Sequence, residues 1–164
     1  MKLLQSLAAC AVAAVSVATP ALARVEPGTT KLLQTLTDYG VTIQYNPPDC
    51  NGTFMGRYNT YKVMTLCYRG TPTAADHDTV RHETAHFLQH CASIRRGEPG
   101  LNPLAVNTTK RNQWVTSVLK PSQVSRIKSS YSPRVHQIEL EAFAMAEHYT
   151  ANDLIKYIET WCIK

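Results

Sequence analysis

Two histidines and a glutamate lie close together near the middle of the chain, in the segment His82-Glu83-Thr84-Ala85-His86, which is an HExxH motif. On a helix, four residues advance by about 400° and about 6 Å, so His82 and His86 project from one face and can share a cation. Glu83 lies about 100° further round the helix. From there it can accept a proton from a metal-bound water instead of ligating the metal. The motif therefore predicts a zinc-dependent hydrolytic site.

Two histidines leave such a site short of a third protein ligand. A metzincin would carry a glycine at position 89 and a histidine at position 92, but this chain has Gln89 and Ala92, which excludes that class. His90 lies about 12 Å along a straight helix from His82, too far for the two to share one ion. We expect His90 to lie around the site, at the wall of a cleft or on the surface.

The third ligand is expected from a later predicted helix that carries Glu139 and Glu141. These two residues are about 200° apart on a helix, so only one of them should enter the site. Glu139 falls on the edge of an apolar stripe, between Val135 and Phe143, whereas Glu141 falls on the wetter side. A carboxylate directed at a core is costly unless a partner or a cation compensates it. This argument favours Glu139, with Glu141 as the alternative ligand.

The elements that position these residues follow from hydrophobic periodicity, caps and breakers. The fold class that they predict is α+β. We predict a strand over residues 41–45, one or two strands within Thr53–Arg69, and a loop over Arg95–Asn112. The predicted helices are Thr29–Tyr39, Asp76–Cys91 capped by Thr73, Trp114–Tyr131 with a break at Pro121, Pro133–Tyr149, and a last helix capped by Asn152 or Asp153 and ending near Trp161.

The first 23 residues have the pattern of a secretory signal peptide. Lys2 precedes an apolar run over Leu3–Val17, and Ala21-Leu22-Ala23 supplies the small-x-small pattern of a cleavage site. The run is short for a membrane helix and lacks a basic stop-transfer flank, so no stable membrane insertion is expected. We expect residues 24–164 to form a single domain that is exported to the periplasm or secreted.

Four cysteines remain in the exported part of the chain, and an even number there predicts two disulfides. Four cysteines allow three pairings, and the sequence does not choose between them. We predict Cys50–Cys67, which would close a short β segment, and Cys91–Cys162, which would tie the last helix to a central one.

Composition excludes several classes of protein. The 164 residues are 44% hydrophobic and 18% charged, which is typical of a globular protein rather than a disordered or collagenous one. Seventeen Lys and Arg against twelve Asp and Glu give a net charge of +5, but the basic residues form no run of the kind that marks a nucleic-acid arm. Nucleic acid is therefore not an expected partner. Separately, we expect the protein to be a monomer.

The HExxH motif, together with Glu139 in an E-x-x-A context that ends at Ala142, resembles the small gluzincin-type zinc metallopeptidases of the zincin superfamily. Members of those families usually carry Asp or Asn where this chain has Phe143. The resemblance implies a minimal zincin-like domain, in which a small β-sheet packs on the active-site helix and further helices follow. It also implies that Thr53–Arg69 holds the edge strand along which an extended peptide lies.

A side chain that donates a hydrogen bond to the transition state is also expected from the resemblance. Tyr131 is the first candidate, with His136 or His148 behind it. The expected activity is that of an exported peptidase in which one Zn²⁺ per chain polarises a peptide carbonyl and lowers the pKa of its bound water, with Glu83 as general base. The substrate would be a peptide or a protein.

Two other functions stay open from the sequence. One is a zinc-binding module that cleaves nothing and serves as a binding or inhibitory protein. The other is a disulfide-stapled interaction domain without a metal, in which the motif is a coincidence.

Overall fold

The computed structural model describes residues 28–68 and 70–163. The signal peptide predicted for residues 1–23 lies outside the described residues. Six helices and three strands are present in the described part, which confirms the α+β class. In chain order they are α1 Thr29–Asp38, β1 Thr42–Tyr45, β2 Gly56–Asn59, β3 Val63–Leu66, α2 Ala74–Arg96, α3 Thr108–Val118, α4 Pro121–Ser130, α5 His136–His148 and α6 Ala151–Trp161.

The sheet has three strands in the order β1-β3-β2, so β2 is an edge strand. β1 runs parallel to β3, and β2 runs antiparallel to it. The carbonyl of Met55 accepts a hydrogen bond from the Cys67 amide at 2.8 Å. The odd-numbered residues of this segment are therefore the ones whose backbone groups form hydrogen bonds with β3. Because backbone groups alternate in direction along an antiparallel strand, Gly56 and Tyr58 direct theirs toward the open edge.

Helix α2 carries the HExxH motif and is longer than the predicted Asp76–Cys91. Thr73 caps its start as predicted: the Thr73 side chain accepts from the Asp76 amide, and the Asp76 carboxylate accepts from the Thr73 amide. The helix ends only at Gly97, whose φ of 68° is the left-handed conformation that glycine adopts readily. The prediction of a loop beginning at Arg95 was therefore wrong, because the helix stop lies two residues later.

One face of α2 is anchored in the main core. Val80, Phe87 and Leu88 are at most 1% exposed. They pack with residues of the sheet and of α5 and α6. A second, smaller core lies under α3, α4 and α5. The histidines of the motif occupy another face of α2, so the core fixes the helix without using these histidines.

The later helices differ from their predicted bounds mainly at their starts. α3 begins at Thr108, within the predicted loop, because the Asn107 side chain caps the Lys110 amide. The predicted break at Pro121 is confirmed, with α3 before it and α4 after it. α5 starts at His136 rather than at Pro133, since residues 133–135 form a turn.

The last helix is capped by Thr150, not by Asn152 or Asp153 as predicted. The Thr150 side chain accepts from the Asp153 amide, and the Asp153 carboxylate accepts from the Thr150 amide. Asp153 therefore occupies the third position of a capping box, with the cap itself three residues earlier.

Both predicted disulfides are present. Cys50 pairs with Cys67 beside the sheet, and Cys91 of α2 pairs with Cys162 at the end of α6. None of the helices within residues 28–68 and 70–163 is both long enough and apolar enough to span a membrane.

Candidate metal centre

Three side chains that could ligate a metal converge beside α2. Nε2 of His82 lies 3.1 Å from Nε2 of His86. The carboxylate of Glu139, from the first turn of α5, lies 3.3 Å from Nε2 of His82 and 3.6 Å from Nε2 of His86. The predicted pair of histidines and the predicted glutamate therefore form one group, which could bind a metal ion.

The spacing of these atoms fits a tetrahedral cation. Zinc bonds of about 2.0–2.1 Å to nitrogen or oxygen place neighbouring ligand atoms about 3.3–3.5 Å apart. The three separations in this group run from 3.1 to 3.6 Å. In addition, Oε2 of Glu139 is buried without a hydrogen-bond partner among the described residues. A cation between the three side chains would satisfy that oxygen.

The charges of the site also favour a cation. Burial by itself would raise the pKa of the Glu139 carboxyl, but its contacts with His82 and His86 hold that pKa at about 2. Burial would lower the pKa of His86, but contact with Glu139 and the charge of Glu83 raise it above the usual value. The group thus holds the ionised carboxylate of Glu139 close to two imidazoles, and this carboxylate stabilises positive charge placed between the three side chains.

Glu83 lies beside this group without joining it. Its carboxylate is 4% exposed and accepts a hydrogen bond from the backbone amide of Tyr58 on the open edge of β2. Burial raises the pKa of Glu83, and the charge of Glu139 adds to this, while His82, His86 and the Tyr58 amide oppose it. A buried carboxyl with a raised pKa is suited to accept a proton and to release it again.

The edge strand approaches Glu83 closely because Gly56 has no side chain. A Cβ at position 56 would lie 2.5 Å from Cγ2 of Thr79 and 3.0 Å from Oε1 of Glu83. Thr79 would have to move to admit such a Cβ, and Glu83 would be pressed by it, so the glycine lets the backbone of β2 lie directly over the start of the motif.

The two histidines of this group are held in different ways. Nδ1 of His86 is hydrogen-bonded to Oε1 of Gln89 at 2.8 Å. Nδ1 of His82 is buried without a hydrogen-bond partner in the described part of the chain, and the His82 ring packs on Phe143 at a centroid distance of 4.3 Å. Phe143 therefore contacts His82 by ring packing and offers it no hydrogen bond.

The alternative ligand, Glu141, lies away from the metal group. Its carboxylate accepts hydrogen bonds from the Leu104 amide at 2.7 Å, from the Ala105 amide at 3.1 Å and from Nε2 of Gln89 at 2.9 Å. The prediction that Glu141 faces the wetter side of α5 was wrong, because the side chain is only 2% exposed. The loop between α2 and α3 covers that face, which helical periodicity alone could not show.

A cleft opens over the metal group. Two adjoining cavities, of about 570 and about 660 Å³, share His82, Glu83 and Tyr131 among their lining residues. The cleft runs between β2 and its preceding residues on one side and α4 on the other. Tyr131 follows α4 directly, so its side chain forms part of the wall next to the predicted ligands.

Tyr131 remains protonated over a wide pH range. Burial raises the pKa of its hydroxyl to about 12, and the charges of Glu139 and Glu83 contribute to the rise. A neutral phenol keeps its proton and can donate a hydrogen bond into the cleft. The structure thus brings the predicted donor to the same cavity as the metal group.

The two other donor candidates, His136 and His148, do not line either of these two cavities, and neither does His90. His136 donates through Nε2 to the backbone carbonyl of Tyr131 at 2.8 Å. His148 packs against the rings of Trp114 and Tyr149. His90 is hydrogen-bonded through Nδ1 to the Tyr58 hydroxyl at 2.8 Å. His136 and His90 therefore each contact a residue of the cleft wall without entering the cleft.

Sequence reasoning missed Gly56, Tyr58 and Gln89 as residues of the site. Gln89 serves in the sequence only to exclude the metzincin pattern, and its hydrogen bonds beyond its own helix go to α5, which is distant in sequence. Gly56 carried a signal, since an isolated glycine within a strand often marks close approach of the backbone to another group.

Comparisons with protein-family models, with curated proteins and with solved structures give no match for this chain.

Proposed function

We propose that the protein is a zinc-dependent peptidase whose metal is held by His82, His86 and Glu139. The observation that carries the proposal is the position of Glu83: a buried carboxylate stands beside three metal-ligand side chains without being one of them. Two imidazoles and one carboxylate form a ligand set that catalytic zinc sites use, with one coordination position left open. A bound zinc ion would supply a Lewis acid that polarises a carbonyl and lowers the pKa of water.

The chain's own residues account for the proton transfers of hydrolysis. Glu83 accepts a proton from the attacking water while the oxygen of that water bonds to the carbonyl carbon. The same carboxyl then delivers that proton to the leaving nitrogen as the C–N bond breaks. Glu83 ends the cycle as a carboxylate, so no other acid or base is needed.

The open edge of β2 is a place where an extended peptide can bind as an added strand. Gly56 and Tyr58 direct backbone groups toward this edge, and one of these, the Tyr58 amide, already bonds Glu83. A substrate strand added beside β2 would bond the other backbone groups on this edge and so lie next to the catalytic carboxylate. Binding of this kind places few demands on substrate side chains.

We also propose that the protein acts outside the cytoplasm. Its two disulfides form and persist in oxidising compartments such as the periplasm or the extracellular space. The signal peptide predicted at the N-terminus agrees with this location.

Cleavage of a mixed peptide library, blocked at both ends and analysed by mass spectrometry, tests the proposed activity. We expect the zinc-loaded protein to cleave internal peptide bonds, to lose that activity on treatment with a chelator, and to regain it when zinc is restored. A protein that holds one zinc per chain and cleaves no library member would instead be a zinc-binding module without catalysis.

Replacing Tyr131 with phenylalanine tests the proposed hydrogen-bond donor. We expect kcat to fall about 10²–10³-fold with little change in KM, because the hydroxyl would stabilise charge that develops only in the transition state. Zinc content should be unchanged, since Tyr131 is not part of the metal group. A kcat close to that of the unmodified protein would remove Tyr131 from the mechanism.

A further inference from the structure

Gln89 has a side-chain orientation that its partners fix. Its Nε2 group lies 3.0 Å from the backbone carbonyl of Ile138 and 2.9 Å from Oε2 of Glu141, and both partners are acceptors. With the amide turned over, Oε1 of Gln89 would face two oxygens and both hydrogen bonds would be lost. Gln89 must therefore direct Oε1, and not its amide group, toward His86.

The fixed amide in turn decides which nitrogen of His86 carries the proton. Oε1 of Gln89 is an acceptor, so Nδ1 of His86, at 2.8 Å, must be the donor. In the neutral imidazole, Nε2 then has a free lone pair, and this is the atom that faces His82 and Glu139. The tautomer needed to bind a metal is thus present before any metal arrives.

Glu141 anchors this chain of hydrogen bonds. Two backbone amides of the loop between α2 and α3, those of Leu104 and Ala105, bond to its carboxylate. Both Gln89 and Glu141 are almost completely buried, which limits the access of water to these contacts. The loop, α5 and α2 are in this way joined through one buried polar network that ends at a metal ligand.

We propose that Gln89 and Glu141 are positioning residues that hold His86 in its Nδ1–H tautomer and so preset the metal site. His82 provides an internal contrast, because its Nδ1 has no hydrogen-bond partner in the described part of the chain. The inference rests on the metal site proposed above, but the tautomer is a property of the metal-free protein and is measured without the metal.

The test is a long-range ¹H–¹⁵N correlation spectrum of the histidine rings in the metal-free protein, recorded in alkaline buffer where the imidazoles are neutral. We expect His86 to give the Nδ1–H pattern in the unmodified protein. Gln89→Met, which keeps the size of the side chain and removes the acceptor, should shift His86 toward the Nε2–H form. Gln113→Met, on the exposed face of α3, is the matched control and should leave the pattern unchanged.

Metal affinity provides the second measurement. Competition with a chromogenic chelator should show zinc binding about 10- to 100-fold weaker in Gln89→Met than in the control, as for other partners of metal-bound histidines. Glu141→Met removes the carboxylate acceptor that helps to fix the Gln89 amide, so this variant should also shift His86 toward the Nε2–H form. It tests the inference through a second residue if Gln89→Met does not fold.

An Nε2–H pattern for His86 in the unmodified protein would overturn the inference outright. So would a weaker zinc affinity in Gln89→Met with an unchanged ring pattern, since Gln89 would then act only on stability. Absence of zinc binding by a protein that shows the expected Nδ1–H pattern would refute the proposed function and leave the tautomer assignment standing.

Discussion

Replacing Glu83 with glutamine is expected to reduce peptide hydrolysis by about 10²–10⁴-fold while zinc remains bound. Glutamine has the shape of glutamate but cannot accept the proton of the attacking water or return it to the leaving amine. The three proposed ligands are other residues, so the ligand set is intact in this variant. Activity should be followed as kcat/KM on a peptide found in the library screen, with zinc content measured on the same sample.

A matched control for this variant is Glu159→Gln, on the exposed side of α6. It makes the same chemical change far from the cleft and should keep full activity. Hydrolysis by Glu83→Gln at the rate of this control would show that another group is the base, or that a contaminating peptidase is being measured.

Removing the Cys91–Cys162 disulfide is expected to lower the free energy of unfolding by about 4 kcal/mol, since it closes a loop with a sequence separation of 71 residues. The cross-link reduces the conformational entropy of the unfolded chain, and it ties the end of α6 to α2. The variant to measure is Cys91→Ala/Cys162→Ala, by urea denaturation without reductant.

The second disulfide gives the control for loop length. Cys50→Ala/Cys67→Ala removes a cross-link over a separation of 17 residues, for which the same relation gives about 3 kcal/mol. Removing the cross-link over the longer loop should therefore lower the free energy of unfolding by more. An unfolding free energy that is unchanged in Cys91→Ala/Cys162→Ala would show that this cross-link does not stabilise the fold.

The sequence was sufficient to predict the residues whose geometry depends on one helix. The spacing of His82 and His86 fixes their shared face, whatever else the chain does. The capping role of Thr73 and the break at Pro121 are likewise local, and both are confirmed. Local rules of this kind require no knowledge of how the elements pack.

The burial of the two glutamates, Glu139 and Glu141, is a feature that local rules do not predict. Glu139 was preferred as ligand because Glu141 was expected to face water, and Glu139 does lie with the histidines. The reason given was nevertheless incorrect, since Glu141 is the more buried of the two. Its burial comes from the loop amides at Leu104 and Ala105, which no periodicity in α5 could reveal.

Contacts between distant segments are the other part that the sequence could not supply. The hydrogen bond from Gln89 to Glu141 joins residues 52 positions apart, and the approach of Gly56 to Glu83 depends on the antiparallel pairing of β2 with β3. Each of these requires the tertiary arrangement. A glutamine next to a motif on a helix has no signal that distinguishes it from a surface residue.

Zinc content per chain, measured by elemental analysis after dialysis, distinguishes the two candidate ligands when Glu139→Gln is compared with Glu141→Gln. We expect about one zinc per chain for the unmodified protein and for Glu141→Gln, and a large loss of zinc in Glu139→Gln. Equal zinc content in the two variants, or its loss only in Glu141→Gln, would contradict a site built from His82, His86 and Glu139.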